Sequence, residues 1–363
     1  MSLIAMTADW HADGKTLEIL RRQLAAMVSE CNTRGVDLLC VAGDVFESSS
    51  IEDRHGSTGY IARGVIEELQ KLQCRVLMIP GNHDAAGAGS ADALHIFTER
   101  LTVGGCTVIH APQWVICEDL DLDVLCVPWD WSGAPFPDPW RQDDAPFRSD
   151  NKTLLLAHVQ IGGAVMNGGH TCPDEPSKFQ ISRADLEALP FDRFALGDFH
   201  KRQDLTDGRG GYIGALRQCN FGEEGNPAGF EIWDTEAGDF EWIELDEAPR
   251  HKTWIMAPGD APPPECPPGW KYKVKLTGEQ PDYVLVRDLE RDGCVVEINL
   301  DMVQRLTRAS VPPNVINDPR ALMALWTESN DIGDERLARM LDVWDGLAGD
   351  ENQTEGEARN ESA

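Results

Sequence analysis

Five short apolar runs end in the same kinds of residue, and this repetition limits the fold more than any other property of the chain. "LIAMTA" runs into Asp9-Trp10-His11, "VDLLCVA" into Gly43-Asp44, and "RVLMIP" into Gly81-Asn82-His83-Asp84. Further on, "KTLLLA" ends at His158 and "RFAL" at Gly197-Asp198-Phe199-His200. Runs this apolar, without polar alternation, read as strands buried on both faces. Between the first three lie two segments of helical periodicity: Lys15 to Cys31, with Leu17, Leu20, Leu24 and Met27 on one stripe, and Gly59 to Leu72. The β-α-β-α-β order implies parallel strands in an α/β fold, where ligands sit at the carboxyl ends of strands.

After Thr107 the pattern shifts to short strands, "TVIHA", "WVICED" and "LDVLCVP", expected as a meander. A Pro- and Trp-rich insert from Pro128 to Pro146 reads as an irregular loop, and "GYIGA", "GFEIWD" and "FEWIEL" as closing antiparallel strands. A boundary is expected at "APGDAPPPECPPGW", where six prolines exclude regular structure. Beyond it, "KYKVKLTG", a polar segment and "GCVVEINL" suggest a small β-α-β unit. Two amphipathic helical stretches follow, with Leu322, Leu325, Trp326, Leu337, Met340, Leu341 and Trp344 in apolar stripes, and then an acidic tail expected to be disordered.

Singly, Gly-Asp and Gly-Asn are common turn sequences. Together the five strand ends offer the mixed imidazole and carboxylate set that a pair of divalent ions needs. Two such ions about 3.5–4 Å apart clamp both oxygens of an in-line phosphoryl displacement. A carboxylate at a tight Gly turn suits the bridge between them. The oxygen-rich count favours Mn²⁺, with Mg²⁺ as the alternative.

The order D-x-H, GD, GNHD, H and G-x-x-H resembles that of the calcineurin-like metallophosphoesterases. Three stretches narrow the resemblance to the SbcD/Mre-type nuclease subunit of DNA double-strand-break repair: "GDVFESSS", "LGDFHKRQ" and "YIGALRQCNFGEEGNPAGFEIWD". It is close over roughly residues 1–247 and covers the rest only in layout. The resemblance implies a four-layer α/β/β/α sandwich with a small α+β capping domain and C-terminal helices. The corresponding domains are residues 1–255 (nuclease), 256–312 (capping, DNA-binding), 313–347 (helical, partner-binding) and 348–363 (acidic tail). It also implies that one metal takes Asp9, His11, Asp44 and His200, and the other Asp44, Asn82, His158 and Asp198, with Asp44 as bridge. His83, oriented by Asp84, would serve the leaving 3′ oxygen. The implied activity is exonuclease action on duplex ends and endonuclease action on single strands or hairpins, in a homodimer bound to an SbcC-type coiled-coil ATPase.

Two positions depart from that pattern. Asp198 stands where the family usually has His, adding a negative charge and favouring Mn²⁺ or Mg²⁺ over Zn²⁺. Glu47 stands where His or Asp is frequent, and its role is open.

Charge pulls the other way. With 32 Lys+Arg against 62 Asp+Glu, the net charge of −30 repels phosphate backbones at long range. An anionic substrate must therefore be held locally, and Lys201 and Arg202, next to the last strand end, are candidate phosphate contacts. The acidity favours one alternative, a phosphodiesterase or phosphatase for small molecules, and Asp198 motivates another, a DNA-end scaffold with attenuated catalysis. Ten cysteines without a CxxC pair argue against a zinc ribbon or disulfide framework. No apolar run is long enough to span a membrane, and no basic segment precedes "MSLIAMTADWH", so a cytoplasmic location is expected, in a bacterium or a phage-infected host.

Overall fold

The computed structural model describes residues 2–48, 57–84, 93–101, 105–130, 150–167, 169–173, 181–245, 248–257, 259–278, 283–300, 320–324, 338–339 and 341. Its first strands are β1 (Leu3–Thr7), β2 (Leu38–Ala42), β3 (Arg75–Ile79), β4 (Cys106–Val108), β5 (Gln113–Cys117), β6 (Leu122–Val127) and β7 (Lys152–His158). Then come β8 (Ile161–Gly162), β9 (Ile181–Ser182), β10 (Arg193–Gly197), β11 (Gln203–Asp204), β12 (Gly210–Tyr212), β13 (Gly229–Asp234) and β14 (Phe240–Glu244). The last are β15 (His251–Met256), β16 (Lys271–Gly278) and β17 (Val295–Leu300). Its helices include α1 (Leu17–Arg34), α2 (Ser57–Leu69), α3 (His95–Arg100), α4 (Arg183–Glu187) and α5 (Tyr283–Arg291).

Two six-stranded sheets carry the fold, in the orders β14-β13-β1-β2-β3-β4 and β11-β12-β10-β7-β6-β5. The alternation of side chains along each strand decides how they stack. Ile4 and Met6 of β1, Leu38 and Cys40 of β2, and Leu154 and Leu156 of β7 share one buried cluster between the sheets. Ala5, Leu39 and Val41 point the other way, into a cluster with Leu17, Leu20, Leu24 and Met27 of α1 and Val65 and Leu69 of α2. Leu155 and Ala157 of β7 face a third cluster with Leu186 of α4, Phe191 and Phe199. Each fully buried Leu, Met or Phe contributes about 1.5–3 kcal/mol, so the layering is fixed by the strands' apolar character on both faces. The result is an α/β sandwich of two sheets with helices packed outside.

Local signals fix the ends of α1. The Asp13 carboxylate accepts the amides of Lys15 and Thr16 at 2.6 and 2.9 Å. Gly35, at φ 70°, returns its amide to the carbonyls of the last turn, as a left-handed C-cap does.

Two expectations are corrected. The three strands after Thr107 are not a meander: β4 pairs parallel with β3 at the edge of the first sheet, whereas β5 and β6 form an antiparallel pair in the second. Of the three "closing" segments, β13 and β14 pair antiparallel as expected, whereas β12 pairs antiparallel with β11 on one side and parallel with β10 on the other. Short strands carry no local signal of which distant edge they join.

The chain divides into two compact units. One comprises Met1–Trp254, Pro262–Val274 and Leu289–Val295; the other Ile255–Ala261, Lys275–Asp288 and Val296–Ala363. The order β16, α5, β17 matches the β-α-β reading of that region. Of the two C-terminal helical stretches, residues 320–324, 338–339 and 341 are described and helical. The acidic tail, His55 and most of the Trp-rich insert lie outside the described residues.

Candidate metal centre

Strand register brings the sequence motifs together. β1 pairs parallel with β2 and β2 with β3, so the turns after Thr7, Ala42 and Ile79 leave the same edge of one sheet. In the second sheet, Gly197 sits opposite His158 in the parallel β10–β7 pair. Backbone bonds then tie the first two turns: the Asp9 amide donates to Gly43 O at 3.1 Å and the His11 amide to Asp44 O at 3.0 Å. Asp9, His11, Asp44 and Asp198 all adopt positive φ, at 54°, 45°, 52° and 104°. Non-glycine residues are uncommon there, and clusters of them mark sites where surrounding structure over-determines the backbone. The glycines supply clearance. A Cβ on Gly81 would lie 2.1 Å from Asp44 Oδ1, and one on Gly43, itself at φ +88°, would lie 2.3 Å from His158 Nδ1.

The side chains converge in two overlapping groups, Asp9–His11–His200 and Asp9–Asp44–His158, whose ligand-type atoms lie within 4.8 Å of one another. His11 Nε2 and His200 Nε2 face each other at 2.9 Å. Asp44 Oδ2 stands between the two groups, 3.6 Å from His11 Nε2 and 3.5 Å from His158 Nε2. Asn82 Oδ1 and Asp198 Oδ1 lie 3.0 and 3.8 Å from His158 Nε2. All seven residues expected as ligands are therefore in one place.

Each of the three histidines is held from behind, which selects the nitrogen it presents. His158 Nδ1 is 2.7 Å from the Ala42 carbonyl. His200 Nδ1 is 2.9 Å from Glu223 Oε1, a carboxylate also held by the Cys219 amide and the Asn220 side chain. Glu47 Oε2 lies 2.9 Å from His11 Nδ1, off the line of a hydrogen bond, so this contact is electrostatic. Two histidines thus carry carboxylates and the third a carbonyl.

Burial and crowding set the charges. Burial raises the Asp9 pKa above its ordinary value, the neighbouring histidines only partly offsetting it. Asp198 is pushed up to about 6, by burial and by the charges of Asp9 and Asp44 against the pull of His158. For Asp44, burial is outweighed by His158 and His11, and its pKa falls. For His158, burial is outweighed by Asp44, and its pKa rises to about 10. Three buried carboxylates thus draw positive charge inward. Among the described residues, Asp9 Oδ2 and Asp198 Oδ2 are buried without a hydrogen-bond partner. Orphaned carboxylate oxygens beside converging imidazole nitrogens fit divalent cations with mixed N and O ligands.

One expectation about the neighbours is corrected. Asp84 does not orient His83. Its carboxylate accepts the amides of Gly81, Phe46 and Val45 at 2.9, 2.9 and 3.3 Å, clasping the Asp44 and Asn82 turns together. Burial and the Asp44 charge push its pKa up to about 7. His83 is held instead through Nδ1, 2.8 Å from the Glu47 main-chain carbonyl. Sequence reasoning gave Glu223 no role, although it lies in the quoted "FGEE" stretch; nothing in its spacing announces a partner 23 residues upstream.

The centre opens into a cleft of about 960 Å³ lined by His83, His170, Lys15, Arg217 and Lys271 among others. Arg202 turns away, donating to Glu231 at 3.0 Å, and neither it nor Lys201 lines the cleft. Paired sheets that gather histidines and carboxylates at their strand ends, beneath an open cleft, define a metal-dependent phosphoester hydrolase. The chain belongs to the calcineurin-like phosphoesterase family, whose sequence pattern matches residues 2–286. Among the described residues no helix is long and apolar enough to cross a membrane.

Proposed function

We propose that the protein is a two-metal DNA nuclease of the SbcD/Mre type, acting on duplex ends and on single strands or hairpins with an SbcC-type ATPase, as a homodimer. The observation that carries the narrower reading is Glu223. It belongs to the "FGEE" stretch by which the sequence resembles those nucleases, and it touches His200 at 2.9 Å. An open cleft, rather than a closed pocket, agrees with a polymeric substrate.

In this reading Asp9, His11, Asp44 and His200 hold one cation, and Asp44, Asn82, His158 and Asp198 the other. The pair, Mn²⁺ by preference and Mg²⁺ otherwise, supplies Lewis acidity to the phosphoryl oxygens and acidifies water. The protein's own groups do the rest. Glu47, Ala42 O and Glu223 keep the Nε2 atoms of His11, His158 and His200 turned inward. With its Nδ1 hydrogen given to Glu47 O, His83 keeps Nε2 for the leaving 3′ oxygen, and in the imidazolium form passes it a proton.

The net charge of −30 favours a second reading, hydrolysis of small phosphodiesters. One assay separates them. The protein, alone and with the ATPase, is incubated with Mn²⁺ and end-labelled duplex, hairpin or an aryl phosphodiester. DNA cleavage that disappears in His83→Ala supports the nuclease. Turnover of the aryl ester alone supports the second reading and sinks the first. DNA-end and ATPase binding without any turnover points to a scaffold.

A further inference from the structure

An acidic protein that cuts a polyanion needs cations where the substrate lies, and many of the described cations are already committed. Arg21, Arg34, Arg63, Lys71, Arg75, Lys152, Arg193, Arg202, Arg250 and Lys252 each pair with a carboxylate. Lys15 and Lys271 do not: among the described residues neither ammonium has an ion-pair partner, and both line the metal cleft. Arg217 lines the same cleft. It is 6% exposed, donates to His11 O at 2.8 Å, and keeps a buried Nε with no partner among the described residues. Its nearest carboxylate, Asp13, is 3.8 Å away and already accepts the amides of Lys15 and Thr16.

We infer that Lys15, Arg217 and Lys271 form an anion subsite beside the His/Asp cluster, which holds a backbone phosphate other than the one being hydrolysed. It rests on the nuclease reading and deepens it. A substrate with a single phosphate leaves the subsite unused, whereas a single-stranded DNA backbone fills it at the next linkage. Three cations beside the cleft also offset the global repulsion locally, where the substrate would lie.

The test is fluorescence anisotropy of a labelled single-stranded oligothymidylate on the full chain, in Ca²⁺ and in EDTA, across a range of salt. Lys15→Ala and Lys271→Ala are each expected to weaken binding on the order of threefold to tenfold, and to lower the slope of log affinity against log salt by about 0.7. Lys201→Ala, outside the cleft, is the control and keeps both values. Arg217→Lys retains the charge but not the guanidinium donors, and is expected to weaken binding while keeping the slope. Wild-type binding and cleavage with unchanged values in both lysine variants overturns the subsite alone. So does an equal loss in Lys201→Ala. A wild type that neither binds nor cuts the oligonucleotide, yet hydrolyses bis(p-nitrophenyl) phosphate, overturns the nuclease reading and the subsite with it.

Discussion

At the scale of single residues, the groups behind the histidines matter as much as the histidines. Glu223 is 1% exposed and fully engaged by His200, Cys219 and Asn220. Partners of this kind are worth about 10–100-fold in metal affinity. Glu223→Gln is therefore expected to weaken Mn²⁺ binding by that order with the circular-dichroism spectrum kept; titration calorimetry giving the wild-type affinity would refute the role. Asp198 makes a different prediction. Replacing it with His removes one buried negative charge and adds a softer ligand, so Asp198→His is expected to move preference from Mn²⁺ toward Zn²⁺ in a competition titration. An unchanged preference would mean that position 198 does not face a cation. These residues were unequally legible in the sequence. Asp9, Asp44, Asn82, His158, Asp198 and His200 could be read because each follows an apolar run. The partners of His83 and His200 could not, because one is a main-chain carbonyl and the other comes from a short 3₁₀ turn, Phe221–Glu223.

At the scale of elements, a buried ion cluster joins the two sheets. Arg193 of β10 donates to Glu231 of β13 at 2.6 Å, and Arg202 donates to its other oxygen at 3.0 Å. Arg193 also lies 3.6 Å over the Phe240 ring of β14. Arg193 and Glu231 are 2% and 3% exposed, so Glu231→Ala strands the Arg193 guanidinium without its carboxylate, whereas Arg202, 30% exposed, can turn to water. Breaking a buried pair from one side costs about 3–5 kcal/mol; urea denaturation should register a loss of that size, and a change below 1 kcal/mol would show that water reaches the cluster. The sequence concealed this tie, since Arg193 reads only as the first residue of "RFAL". Pairing was hidden for a related reason: β12 meets β10 through Phe194↔Gly210 and Leu196↔Tyr212, and two of its three residues are glycines without strand propensity.

At the scale of the whole molecule, the centre links stability to pH and to cations. In the cation-free protein the folded pKa values of Asp84 and Asp198 stand at about 7 and about 6, above their ordinary 3.8. A carboxyl raised on folding binds its proton more tightly in the native state, so its contribution is complete below the unfolded pKa and is lost as pH rises through the folded one. His158, raised from 6.5 to about 10, acts in the same direction at higher pH. The EDTA-treated protein is thus expected to melt at a lower temperature at pH 8 than at pH 5.5, and Mn²⁺ to raise the midpoint more at pH 8. Equal Mn²⁺ effects at both values would place the cation away from these carboxylates. Composition shows the acidity at this scale; what it hid was that Lys15 and Lys271 find no ion-pair partner among the described residues, because pairing depends on where the chain folds.

The unlike supports of the three imidazoles reach beyond any one residue. His11 and His200 lean on carboxylates, His158 on a peptide oxygen. Anionic support makes a ring the stronger base toward a cation, so under the proposed two-metal assignment the two positions should empty in sequence during dialysis against a chelator, the one beside Asn82 first. Native mass spectrometry would then catch a half-loaded intermediate, whereas simultaneous release would mean the two positions grip alike.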